Sequence, residues 1–295
     1  MDAASILRGR ARSDVALGLL TTYRVGGPAD LFLEIEGPAD LELACRAVAA
    51  TGVQVLAIGR GSNLLVADAG FRGLAVKLGD SFAAVDVSGT HVRAGGAAAL
   101  PVLARRTAAS GLTGLEWAVG VPGSVGGAVR MNAGGHGSET RDTLRRAGLV
   151  DLRSGADTEV AAADLALGYR RSSVTPDQVV LWAEFGLREG DSEASENELA
   201  GIVRWRREHQ PGGANAGSVF TNPPGDSAGR LIDAAGLKGH RVGSAFVSPK
   251  HANFFQADEY GSADDVRALI DEVRQLVEER MGVLLDPELR MIGFL

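Results

Sequence analysis

Apolar positions recur with the helical period over residues 38–51, where Leu41, Ala44, Cys45 and Val48 fall at i, i+3, i+4 and i+7. Gly52 is placed to end that helix. A continuous apolar run, residues 53–58, predicts a buried strand that opens directly into Gly59-Arg60-Gly61-Ser62-Asn63. A short apolar run at 64–66, turns at Gly70 and Gly73, and a strand at 74–78 follow. Alternation on either side of Ser88-Gly89 predicts a hairpin over 85–94. Pro101 near the start and Gly111 after the end bracket a helix over 97–110.

The segment 120–135, Gly-Val-Pro-Gly-Ser-Val-Gly-Gly-Ala-Val-Arg-Met-Asn-Ala-Gly-Gly, is glycine-rich and largely apolar. Exposed linkers are polar, so this segment is expected to be buried or covered. The chain turns acidic and serine-rich over 189–197. It then enters a helix in which Ser195 and Glu198 have capping-box spacing and Leu199, Ile202 and Val203 share a face. A domain boundary is placed near residue 190, with the first domain split into two subdomains near residue 80. A second Gly- and Asn-rich loop spans 210–218. The clearest helix begins at Ser262 as N-cap, carries Val266, Leu269, Ile270, Val273, Leu276 and Val277 as its stripe, and closes at Gly282. The final apolar segment holds Asp286, Glu288 and Arg290, charges that need partners if buried. The whole reads as an α+β mixture of short elements.

With 45% hydrophobic and 23% charged residues in 295, disorder, collagen and coiled coil are excluded. A net charge of −7 does not fit nucleic-acid binding, although local Arg and Lys still suit a small anionic ligand. The single cysteine, Cys45, has no internal disulfide partner and reads as a small hydrophobe in a reducing compartment. No signal-peptide pattern and no run of eighteen apolar residues occurs, so a cytoplasmic protein with no membrane contact is expected. Glycine is the compositional oddity, at 40 of 295 residues without a repeat period.

The Gly59–Asn63 loop is not a dinucleotide fingerprint, because Leu64 stands where the third glycine of G-x-G-x-x-G would fall. It reads either as a tight turn or as a nest of backbone N–H groups around a pyrophosphate. The second glycine segment favours the nest, since two backbones able to approach closely suit a long phosphate-bearing cofactor. No HExxH, paired CxxC or P-loop lysine occurs, so no metal is expected. Neither Ser124 nor Ser218 lies in G-x-S-x-G. Ser218 reads as a turn serine or a functional one. Arg170 in Tyr169-Arg170-Arg171-Ser172, and likewise Lys238 and Lys250, read as solvated cations or as anion contacts. Glu288 in Leu285-Asp286-Pro287-Glu288-Leu289 is a turn residue or a functional acid.

Seven segments occur in order: Thr21–Asp30, the Gly59–Leu65 loop, 120–134, Tyr169-Arg170-x-Ser172, Ala216-Gly217-Ser218-Val219-Phe220-x-Asn222-Pro223, Ala234–Gly239 and Pro287-Glu288. Together they resemble the UDP-N-acetylenolpyruvoylglucosamine reductases, over residues 20–294. The resemblance implies an FAD-binding domain of the vanillyl-alcohol-oxidase (PCMH) type in two subdomains, followed by a smaller α/β substrate domain. It implies non-covalent FAD held by Arg24, Gly59, Gly61, Ser62, Asn63, Leu64, Gly120, Pro122, Gly123, Ser124, Gly126, Gly127, Ala128 and Asn132. It further implies NADPH as hydride donor, and the substrate UDP-N-acetylglucosamine enolpyruvate, which is reduced to UDP-N-acetylmuramate for peptidoglycan. No obligate protein partner is implied.

The same resemblance assigns roles. Arg170 and Glu288 would stabilise the enediolate formed after hydride transfer, Glu288 best in its neutral, hydrogen-bond-donating form with a raised pKa. Ser218 would protonate the carbon beside the carboxylate. Asn222, Lys238 and Lys250 would bind the sugar and pyrophosphate. The chain departs from the family pattern at Asp286, where Glu is usual, and at His209, where lysine is common. Between Ser172 and Ser195 there is no room for a tyrosine-bearing insertion, which matches the shorter type II enzymes. Two rivals stand beside this reading: an FAD oxidase or dehydrogenase with His136 as the local candidate for a covalent tether, and a sugar-nucleotide binder without catalysis. Retention of Arg170, Ser218 and Glu288 together argues against the binder.

Overall fold

The computed structural model describes residues 2–294. By packing, the chain divides into two units. The first takes the chain up to Ser13, Leu31–Arg60 and Gly73–Trp205; the second takes Asp14–Asp30, Gly61–Arg72 and the chain from Arg206 onward.

In the first unit the helix Pro38–Thr51 forms as its pattern predicts, with Pro at its first turn and Gly52 closing it in the left-handed region at φ 67°. Ala44, Ala47 and Val48 bury against Leu33, Ile35, Val55, Leu74 and Val76. The strand Val55–Ile58 runs parallel to Phe71–Leu78, in register Val55↔Leu74 to Ile58↔Lys77. These strands belong to a four-stranded sheet whose order continues through Pro28–Ile35 to Arg12–Ala16. A five-stranded sheet supplies the second core. Its order is Asp157–Ala161, Leu144–Asp151, Gln178–Gly186, His91–Gly95 and Val85–Ser88, with every neighbouring pair antiparallel. The predicted hairpin at Ser88-Gly89 is the Val85–Ser88 and His91–Gly95 pair. Leu100, Leu103, Ala104, Val125 and Val129, from the helices Leu100–Ala109 and Val125–Met131, share the core of this sheet with Val92, Ala147 and Ala183.

The helix expected to start at Ser195 instead spans Ser192–His209. Asp191 takes the capping role, its Oδ1 accepting the N–H groups of Glu193 at 2.8 Å and Ala194 at 3.1 Å. Ser195 lies one turn inside, buried, and its hydroxyl donates to the buried carboxylate of Glu116 at 2.6 Å. That bond keeps the start of the helix on the first unit, so packing divides the chain at Trp205 rather than near residue 190.

The second unit is organised on the helix Ala263–Met281. Ser262 caps it by accepting from the Asp265 N–H at 3.1 Å, and Asp68 adds a second cap on the Ala263 N–H at 2.9 Å. Val266, Leu269, Ile270, Val273 and Val277 are fully buried, at about 1.5–3 kcal/mol of apolar burial each. They pack with Phe220, Phe255, Tyr23, Val25 and Leu65. A three-stranded antiparallel sheet of Arg241–Val242, Ala245–Val247 and Phe255–Ala257 joins this core, as does the short helix Ala228–Ala234. The last strand, Arg290–Ile292, runs parallel to Leu64–Val66, in register Arg290↔Leu64 to Ile292↔Val66. Far-separated ends of the chain thus form one ladder.

Candidate active site

Two clusters hold the predicted site residues, one in each unit. In the first, an open crevice of about 780 Å³ continuous with solvent lies at the C-terminal end of the strand Val55–Ile58. Gly59, Ser124, Gly126 and Gly127 form part of its wall. The two glycine segments meet here: a Cβ on Gly59 would collide with the Ser124 hydroxyl. That hydroxyl is already used, accepting the Gly127 N–H at 3.3 Å as N-cap of the helix Val125–Met131. Ile58, Val76 and Val180 give the crevice an apolar side, and Arg60, Arg130 and Lys77, the last paired with Glu34 at 2.8 Å, stand along it with Asp80. A flat apolar ring system carrying anionic phosphates fits that combination of close backbone, apolar wall and basic side chains.

Asn132 ends the same helix in the left-handed region at φ 40° and is fully buried. Its side chain is committed to protein. Oδ1 accepts the Arg141 N–H at 2.9 Å, and Nδ2 donates to Glu139 and to the Gly168 carbonyl, both at 3.0 Å. Asn132 is absent from the crevice wall, and its side chain instead ties the end of the helix to Glu139, Arg141 and Gly168. Gly168 and Arg171 close a tight turn on each other, which puts Arg170 at the turn with φ 56°. Arg170 Nη2 donates to the Gly134 carbonyl at 3.1 Å, and the Ser172 hydroxyl donates to the Arg130 carbonyl at 2.7 Å. The arginine turn is thus fastened at three points to the end of the glycine segment. His136 packs its ring edge-on against Trp205, with centroids 5.3 Å apart.

In the second unit, Gly61 adopts φ 63°, and a Cβ there would run into the Leu20 carbonyl and lie 2.6 Å from Thr21 Cα, so this turn requires glycine. Two residues on, Asn63 Nδ2 donates to the Glu288 carbonyl at 3.2 Å, and the Arg290 N–H donates back to the Asn63 carbonyl at 3.1 Å. Glu288 also donates its N–H to the Val219 carbonyl at 2.8 Å, while Ser218 forms an antiparallel bridge with Phe254. Ser218 and Glu288 are therefore brought onto adjoining strands, both half-buried. Arg24 is exposed at φ 59° beside Thr21, whose hydroxyl accepts its N–H at 3.3 Å. Asn222 accepts the Ala228 N–H at 3.1 Å. Lys238 pairs with Asp233 at 2.6 Å, and Lys250 Nζ donates to the Arg207 carbonyl at 2.6 Å.

Burial pushes the His251 imidazole below its ordinary pKa, and nearby Lys238 adds to that depression. The Asn253 N–H donates to His251 Nδ1 at 3.2 Å. Asn253 is the residue that motif reading misses. The signal for it was a lone amide among Ala252, Phe254 and Phe255, which buries only if its polar atoms are bonded.

A family model described as the C-terminal domain of UDP-N-acetylenolpyruvoylglucosamine reductase matches residues 209–292, and one described as an FAD binding domain matches residues 29–159. The curated UDP-N-acetylenolpyruvoylglucosamine reductase of Rubrobacter xylanophilus is 44% identical over 285 residues, covering 96% of this chain and 95% of the relative. The chain belongs to the UDP-N-acetylenolpyruvoylglucosamine reductase family. A solved reductase of this family, MurB from Thermus caldophilus, superposes with a TM-score of 0.84 at 36% identity, covering 96% of this chain and all of that one. A berberine bridge enzyme variant shares the fold at 14% identity and TM-score 0.51, covering 65% of this chain and 44% of that one. The fold is accordingly α+β: the FAD-binding domain of the vanillyl-alcohol-oxidase (PCMH) type joined to the smaller α/β domain of the reductases. Among the described residues, no helix is long and apolar enough to cross a membrane. Nor is there a His, Cys, Asp and Glu group among them that could hold a metal.

Proposed function

We propose that this chain reduces the enolpyruvyl group of UDP-N-acetylglucosamine enolpyruvate to the lactyl ether of UDP-N-acetylmuramate, using NADPH and non-covalent FAD. The near full-length relation to the reductases supports the reading. The observation that carries it to chemistry is the adjoining placement of Ser218 and Glu288, joined through the Glu288 N–H to Val219 carbonyl bond of 2.8 Å.

When bound, FAD would supply the redox chemistry that relays a hydride from NADPH to the terminal carbon of the enolpyruvyl group. Gly59, Arg60, Ser124, Gly126 and Gly127, with Arg24 and the Gly61–Leu64 turn, are the residues that would hold it. The acquired negative charge then spreads onto the substrate carboxylate as an enediolate. Arg170, in the left-handed region at φ 56° and tied to Gly134, is the cation for that charge, and Glu288 in its neutral form is a hydrogen-bond donor to it. The Ser218 hydroxyl supplies the proton to the adjacent carbon, and the basicity of the enediolate makes so weak an acid sufficient. Asn222, Lys238 and Lys250 bind the diphosphate and sugar, with Lys238 leaving Asp233 to do so. This reading places the reaction in the cytoplasm, in the assembly of peptidoglycan precursors.

The test separates the half-reactions anaerobically. NADPH is expected to bleach the visible flavin band and the enolpyruvyl sugar nucleotide to restore it. A flavin that bleaches but recovers only with oxygen would overturn the reading in favour of an oxidase. Ser218→Ala is expected to leave bleaching nearly intact and to slow recovery by roughly 10²-fold or more.

A further inference from the structure

Phe220 is 1% exposed and follows Ser218 by two residues. It faces Pro287 in an antiparallel bridge, flanked by the bonds from Glu288 N–H to the Val219 carbonyl at 2.8 Å and from Thr221 N–H to the Asp286 carbonyl at 2.9 Å. That is the non-hydrogen-bonded type of pair, in which the central residue turns its own N–H and C=O to the opposite edge. At that edge no regular strand receives them. The Asn253 carboxamide does: the Phe220 N–H donates to Oδ1 at 3.0 Å, and Nδ2 donates to the Phe220 carbonyl at 2.8 Å. Asn253 is itself 2% exposed. Its own carbonyl accepts the Val219 N–H at 2.9 Å, and the next residue, Phe254, bridges Ser218. Asn253 thus fixes Val219 and Phe220 on one edge, with Phe254 beside Ser218, while Asp286–Glu288 hold positions 219 to 221 on the other.

We propose that Asn253 is a positioning residue for protonation of the reduced substrate: its buried carboxamide sets the register of the segment carrying Ser218 against the segment carrying Glu288. The inference rests on the roles given above to Ser218 and Glu288. An amide suits the place because a backbone N–H and C=O, both buried, require one acceptor and one donor at peptide spacing. The carboxamide acts as a one-residue strand, without the chain direction or twist a real strand would impose. Substituting it by alanine leaves both groups unmet, and the strand shifts to find partners. A displacement of about 1 Å at a proton donor is enough for a loss of order 10²-fold in rate.

The experiment uses full-length holoenzyme and the two half-reactions. Asn253→Ala is expected to keep flavin reduction by NADPH within about twofold and to slow reoxidation by the enolpyruvyl sugar nucleotide by roughly 30- to 100-fold. Asn253→Asp is the diagnostic variant. As a carboxylate it repels the Phe220 carbonyl, but once protonated it is isosteric with the amide and offers both a donor and an acceptor. Its reoxidation rate relative to wild type should therefore climb as pH falls from about 8 to about 6, since burial raises a carboxyl pKa. His251, in contact with the Asn253 N–H, and Glu288 and Asp286 on the facing segment are the same in both proteins, so the ratio to wild type isolates residue 253. Reoxidation within twofold of wild type in folded Asn253→Ala would overturn the inference. So would equal loss of both half-reactions in both variants at every pH, or failure of both variants to fold, since the amide would then serve the fold and not the reaction. Ser218→Ala run alongside separates the two levels: if it reoxidises normally, the proton-donor reading itself fails, whatever Asn253 does.

Discussion

The Asn63 side chain donates to the main-chain carbonyl of Glu288 at 3.2 Å, across 225 residues of sequence. The Arg290 N–H returns a bond to the Asn63 carbonyl, so the loop at the end of Val55–Ile58 and the segment bearing Glu288 are fastened in both directions. Under the proposed function the glycine loop has a second purpose besides approach to a cofactor, to hold the segment that carries the acid. Asn63→Ala removes one neutral hydrogen bond of about 1 kcal/mol net. Reoxidation by the enolpyruvyl substrate is expected to fall roughly five- to tenfold while NADPH reduction stays within about twofold. Stopped-flow traces of the two steps check this, and an equal fall in both would mean that the bond serves FAD binding instead.

Gly59 and Ser124 make the corresponding contact in the first unit. Any side chain at 59 must push the Ser124 hydroxyl off the Gly127 N–H, giving up an N-cap of about 1 kcal/mol, and must also fill the wall of the crevice. Gly59→Val is therefore expected to fold, with Tm lowered by a few degrees, and to purify colourless. Titration with FAD, followed by quenching of flavin fluorescence, should show affinity weakened by at least about tenfold. Stoichiometric yellow protein would remove Gly59 from the cradle.

How much of this was legible in the sequence depended on whether the deciding partner was local. The helix Pro38–Thr51 and the helix Ala263–Met281 were readable to their caps, because Gly52, Ser262 and Gly282 act on neighbours within one turn. Ser195 misled for the same reason. Its spacing to Glu198 satisfied a local rule, but the carboxylate it bonds is Glu116, 79 residues away, and Asp191 had already capped the helix. Nothing local marks Asp14–Asp30 and Gly61–Arg72 as members of the second unit; that follows from ladders such as Leu64–Val66 with Arg290–Ile292. The glycine clusters were visible as places of close backbone approach, as Gly59 against Ser124 shows. Asn253 was not legible, since its two bonds to Phe220 depend on the register of a segment 33 residues earlier.

The Glu116 and Ser195 pair makes a pH-dependent contribution to stability. Burial raises the Glu116 carboxyl, but the Ser195 hydroxyl, the Gly114 N–H and Thr113 together outweigh it and leave the pKa below the ordinary value. A carboxyl depressed in the folded state stabilises above the unfolded carboxyl pKa, and that stabilisation is lost as pH falls through the folded value. Ser195→Ala strips one charge-assisted bond from a buried carboxylate, about 1–3 kcal/mol at neutral pH. Thermal melts from pH 7 to about pH 3 should show a deficit of a few degrees at pH 7 that narrows as the carboxyl protonates in both proteins. A deficit independent of pH would mean that the hydroxyl matters for packing and not as a donor to the carboxylate.

Glu288 offers the sharpest distinction between charge and hydrogen bonding, because its backbone is held independently of its side chain by Val219 and Asn63. A substitution there leaves those backbone bonds in place and changes what the side chain offers. If the side chain acts as a neutral donor to the enediolate, Glu288→Gln retains an N–H at nearly the same place and should lose about tenfold in the reoxidation step. Glu288→Ala retains nothing and should lose roughly 10²–10³-fold, the usual magnitude for a deleted donor to developing negative charge. Both should reduce with NADPH at close to the wild-type rate. Equal losses in the two variants would show that a carboxyl function other than donation is required.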